Sequence, residues 1–136
     1  LRAFSDVYWI HDGDGKWDFT SCLYAGFQNN LTDRFNSRVF WWQANFIARY
    51  HLTEKIALSG RMEYFSDPNS IQITSELNPQ FKAFSKGLCL NFNPQSNLLL
   101  RIEGRYFYSP NQVFKNAAQE ATTDKFWLVS GITFSF

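Results

Sequence analysis

Arginine and glutamate alternate in two short stretches, Arg61 with Glu63 and then Arg101, Glu103 and Arg105, and Arg49 sits alike in a third. In an extended chain residues two apart project from the same face, so each stretch carries its charges on one side of a strand. Such a face supports two kinds of chemistry. Opposite charges on neighbouring strands pair and stiffen a wall, or they look onto water-filled space and set which solutes enter it. General acid catalysis fits less well, because carboxylates beside arginines are held ionised. A nucleophile needs a base within reach, and the only histidines, His11 and His51, fall in a turn and at a strand end. Ser59 and Ser85 read as small polar fillers, so no catalytic residue is expected.

The run from His11 to Asp18 places Asp12 and Asp14 at alternate positions, as a calcium loop does, but Lys16 replaces the next acid and no Glu closes the site. A glycine-shaped turn is the expectation, with no metal and no cofactor. Cys22 and Cys89 lack the paired spacing of a zinc site or a disulfide framework. Thirteen basic residues face twelve acidic ones, which leaves no basic footprint for nucleic acid. With 19% aromatic residues the chain is not of disordered composition, and no apolar run reaches the roughly 18 residues of a membrane helix.

The elements that must position the charges are strands. Phe40, Trp42, Ala44, Phe46, Ala48 and Tyr50 alternate with Gln43, Asn45, Ile47 and Arg49, and similar two-faced runs start near Trp17, Ile56, Ala83, Leu98 and Phe126. The opening residues fit a further strand with Arg2 and Asp6 on its polar face, giving about seven. Lys86 falls on an apolar face, which admits a bulge or a rising strand end. Short turns (His11–Lys16, Leu52–Lys55, Asn93–Asn97) alternate with long connections (Gln28–Ser37, Ser66–Gln80, Ser109–Asp124), as in an up-and-down sheet with turns at one end and loops at the other. Leu52–Pro68 aligns without gaps on Pro94–Pro110, a repeated hairpin in which Arg61 matches Glu103 and Glu63 matches Arg105. Because the intervening strand has small residues on its polar face, arginines on its two neighbours are expected to lean across it in a charge lattice.

Two environments accommodate this pattern. In water the aromatic face is a core and the charges are surface, as in a soluble secreted ligand-binding barrel. In a membrane the faces invert. Trp17 and Tyr50 lie near the short turns and Trp42, Tyr64 and Tyr106 near the long loops, with smaller residues between, as aromatic girdles at two bilayer interfaces require. Strands of about ten to thirteen residues are long enough, since roughly 9 to 11 suffice when tilted. The polar face then lines a lumen, with Arg49, Arg61, Glu63, Arg101, Glu103 and Arg105 as selectivity candidates.

Ile132, Phe134 and Phe136 resemble the C-terminal signal by which bacterial outer-membrane barrels are read by their assembly machinery. RMEYFSDP (61–68) and NLLLRIEGRYF (97–107) are similar to strands of the OmpL-like β-barrel porins, over about the last 90 residues. The resemblance implies a barrel of about twelve or more strands, so residues 1–136 are expected to be the C-terminal part of one all-β, antiparallel, up-and-down transmembrane barrel that begins upstream of Leu1. It also implies a Gram-negative outer-membrane porin for passive diffusion of small hydrophilic solutes. Its partners would be outer-membrane lipid, lipopolysaccharide, the assembly machinery and neighbouring membrane subunits. A non-transporting accessory barrel that binds a partner through its long loops is the alternative within the membrane.

Overall fold

A computed structural model describes residues 1–29, 37–75, 77 and 80–136. Seven long strands form one antiparallel sheet: β1 (Arg2–Asp12), β2 (Trp17–Asn29), β3 (Arg38–His51), β4 (Ile56–Asp67), β5 (Phe81–Gln95), β6 (Leu98–Tyr108) and β9 (Asp124–Phe134). The order is sequential, β1-β2-β3-β4-β5-β6-β9, with β1 and β9 as the two edges. A separate two-stranded ribbon, β7 (Phe114–Lys115) and β8 (Ala121–Thr122), lies in the connection before β9. The protein is all-β, an open section of an up-and-down barrel.

Local sequence explains the boundaries. The Asp-Gly-Asp-Gly stretch turns the chain between β1 and β2, and residues 52–55 close the next turn, where Thr53 Oγ1 accepts from the backbone of Lys55 and Ile56. Pro94 has no amide to give a ladder, and the register between β5 and β6 shifts between Phe92 and Gln95 around it. The third short turn is thereby tighter than expected, since the strands run on to Gln95 and from Leu98. Lys86 marks no bulge: β4 and β5 pair without a break from Phe81 to Phe92. It stays on the apolar face with its ammonium 5.6 Å from the Tyr106 ring centre.

The long connections carry structure of their own. The expected Ser109–Asp124 loop contains the β7–β8 ribbon, and the expected Gln28–Ser37 loop lies largely outside the described residues. Between β4 and β5 the chain turns back at once, because the Asp67 carboxylate accepts the backbone N–H groups of Ile71 (2.9 Å), Gln72 (2.6 Å) and Ile73 (3.0 Å). Ser70 meets this bend with φ of 53°. Three amides on one carboxylate hold the segment against the sheet.

The faces of the sheet differ in kind. Cys22, Val39, Trp41, Ala57, Ser59, Ala83, Ser85, Cys89 and Asn91 are all buried and project from one face. Side chains from β4 and β6 meet across β5 on that side, so it is the concave one. The opposite, convex face exposes Leu23, Phe40, Phe46, Leu58, Met62, Leu88, Leu90, Ile102, Phe126, Leu128 and Ile132. Leu88 is 64% exposed, whereas Trp41 on the concave side is 0% exposed. A sheet folded for water would show the reverse.

Candidate site on the concave face

Register decides which charges meet. Across the sheet Ile47, Arg61, Gly87, Arg105 and Trp127 lie in one row. Asn45, Glu63, Ser85, Phe107 and Lys125 form the next row toward the loops, and Arg49, Ser59, Cys89, Glu103 and Val129 the row toward the turns. The two arginines thus share a row with Gly87 between them, and the two glutamates sit diagonally on either side. Sequence-matched positions of the repeat are staggered by one row, which is why the exchange of charge between them places unlike groups together.

The result is a closed ring of four. Arg61 Nη1 lies 3.7 Å from Glu63 Oε1, and Arg61 Nε lies 3.9 Å from Glu103 Oε1. Arg105 Nη2 pairs with Glu63 Oε2, and Arg105 Nε lies 3.8 Å from Glu103 Oε1. Ser85 Oγ donates to Glu63 at 2.8 Å. Space for this ring is made at Gly87, where an added Cβ would stand 3.1 Å from Arg105 Cγ and 3.3 Å from Glu103 Oε1. Two positive and two negative groups cancel, and each is shared by two partners, which lowers the entropic cost of holding long side chains in place.

Of the six charged candidates the structure brings these four together and leaves two apart. Arg101 Nε donates to Asn91 Oδ1 at 2.9 Å, and Asn91 Nδ2 donates to Ser59 at 3.1 Å. Arg49 is 4.0 Å from Asp18, whose carboxylate is bonded at 2.6 Å by His51 Nε2. Arg49 and Arg101 line one recess at the turn end together with His51 and Asn93. The ring is therefore neutral, and the recess at the turn end sets Arg49, Lys55 and Arg101 against Glu54 and the neighbouring Asp18.

The aromatic candidates all lie on the convex face, at two levels. Trp17 and Tyr50 are direct cross-strand partners with rings 4.7 Å apart, beside the short turns. Trp42 and Tyr64 pack at a tilt with ring centres 5.1 Å apart near the loop end, and Tyr106 sits under Lys86. Ile132 and Phe134 extend the convex face of β9 to the turn end, where Phe134 faces Leu98 and its ring lies 6.4 Å from that of Phe136.

Three features escape a reading of strand alternation. Asp67, fully buried, anchors the 71–73 segment over the concave face. Trp41 covers Gly26, where a Cβ would clash with the indole, and the Arg2 guanidinium lies over the ring at 5.0 Å. With its amide oxygen turned inward, Gln72 accepts from the Trp41 indole at 3.2 Å and from Arg2 at 2.5 Å. Third, the concave face has aromatics of its own in one connected arc from β1 to β9. Phe4 contacts Tyr24 (5.5 Å), Tyr24 contacts Phe65 (6.5 Å) and Phe65 contacts Phe81 (5.9 Å). Phe114 of β7 joins Phe81 (6.4 Å) to Phe107 (6.2 Å), which meets Trp127 (5.0 Å). The repeat carries a trace of this, since Phe65 and Phe107 are its matched positions on the charged face.

An up-and-down sheet with an exposed apolar side, two aromatic levels and a charge-lined concavity defines a wall of the β-barrel porin class. The model of the family described as Putative beta-barrel porin-2, OmpL-like, matches residues 1–136, and the chain belongs to that family. No curated protein and no solved structure matches it.

Proposed function

We propose that the chain is part of the wall of an outer-membrane channel through which small hydrophilic solutes diffuse, with the concave face as lumen and the convex face in lipid. The observation that carries this reading is the inversion of the faces: large apolar side chains project outward from every long strand while ions pair inside. Lipid satisfies the first, water the second, and closure of the edges β1 and β9 with further strands of a barrel satisfies the backbone. The charged ring would line the passage without a strong field, so discrimination between cations and anions falls to Arg49 and Arg101 near the turns. Both glutamates of the ring are engaged by arginine, which speaks for a passage and not for an enzyme.

Orientation follows from the short turns gathered at one end of the sheet and the long connections at the other, since in outer-membrane barrels the short turns are periplasmic. The convex face would meet lipid and lipopolysaccharide, and Ile132, Phe134 and Phe136 would be presented to the assembly machinery during insertion. Recording the full-length chain in planar bilayers tests the reading. Reproducible conductance steps are expected, and their absence from correctly folded protein would leave a structural or accessory barrel in its place.

A further inference from the structure

Resting on the reading of the concave face as the water-filled side, a more specific inference concerns what that side holds. Aromatic rings facing water are costly unless something covers them. Here the arc borders a recess of about 480 Å³, roofed by Gln72 and Ile73 of the segment that Asp67 pins down. That size lies within the roughly 300–1,000 Å³ of small-molecule sites. Phe65, Phe107 and Trp127 give it apolar walls, and Glu63, Ser85 and Arg105 form its polar floor. Buried Arg105 Nε makes no hydrogen bond.

The chemistry of this lining selects among solutes. A wholly apolar ligand would bury the floor's donors and acceptors without partners, which is unfavourable for each group. A charged ligand would pair with one member of the Glu63–Arg105 couple and leave the other exposed to a like charge. A neutral ring with a rim of hydroxyls satisfies both parts: its C–H face packs on an aromatic wall while hydroxyls donate to Glu63 and Gln43 and accept from Arg105. We propose that the recess beneath the Asp67-anchored segment, between the aromatic arc and the Arg–Glu ring, is a binding site for a mono- or disaccharide.

The test is calorimetric titration of the full-length chain, folded in detergent as shown by heat-modifiable mobility, with maltose and, as a charged comparator, benzoate. Saturable maltose binding with half-saturation on the order of millimolar is expected, as suits a weak site for a ligand of this size. Phe107→Leu, which keeps the volume and removes the aromatic face, should weaken it about tenfold, with Phe107→Ala at least as severe. No saturable maltose binding to folded protein, tighter binding of benzoate, or unchanged affinity in Phe107→Leu would each overturn the proposal. Conductance of the same preparation separates the two readings. Steps without maltose binding would retire the saccharide site alone, and maltose binding without steps would retire the channel alone.

Discussion

Glu63 and Tyr64 are neighbours in sequence and belong to opposite worlds. The glutamate is folded into an ion-pair ring across three strands, and the tyrosine packs against Trp42 on the outside of the same sheet. The contrast is strongest on β4, β5 and β6, where ion pairs and small side chains crowd the middle of the curve and large apolar ones spread beyond it, while an aromatic arc borders them on the concave side. The difference teaches where the solvent is. Concave positions tolerate charge because partners converge on them, and the large apolar side chains at convex positions suit the apolar surround that the proposed reading supplies.

The comparison breaks first, and hardest, at the convex centre. Leu88→Arg should cost about 2–4 kcal/mol near the bilayer midplane and deplete heat-modifiable protein from membranes, while Asn45→Arg on the concave face should leave insertion near normal. Equal depletion by both would remove the distinction between the faces. Next in size is Asp67→Ala, which strips three amides of one charged acceptor and loosens only the segment they hold. Proteolysis and hydrogen exchange should accelerate in 68–75 and leave β3 protected. Filling Gly87 with Val should cost about 1–3 kcal/mol in urea-induced unfolding from vesicles, because its Cβ would meet the Gly104 carbonyl at 3.2 Å as well as Arg105 and Glu103. Glu63→Gln and Arg105→Gln should show a coupling on the order of 1 kcal/mol in a double-mutant cycle, the pair being only partly shielded from solvent. Smallest in energy is Arg101→Gln, whose Nε donates to neutral Asn91. It should leave stability within about 0.5 kcal/mol and shift the reversal potential toward cations.

How much of this was written in the sequence depends on range. Alternation alone places Arg61, Glu63, Glu103 and Arg105 on one face and Trp42 and Tyr64 on the other, because strand period is local. The swap of charge between repeat positions signals a lattice across small Ser85 and Gly87. Which charges close the ring requires the register, and that rests on turns such as the one displaced by the bulge around Pro94. Asp67 was illegible for a different reason: it reads as a loop-end acid, and only the fold-back of Ile71 to Ile73 makes it an anchor. The aromatic arc was hidden because Phe114 joins it from a connection that carries no strand pattern.

The central claim is that the convex face meets lipid and the concave face meets water. Single cysteines in place of Leu88 and Asn45, in a background with Cys22 and Cys89 changed to serine, would carry an environment-sensitive fluorophore in vesicles. Iodide should quench the probe at position 45 and spare that at 88, and a lipid-borne nitroxide should do the opposite. Iodide reaching position 88 as readily as 45, with no effect of the nitroxide, would contradict the account and return the exposed aromatic face to the core of a soluble protein.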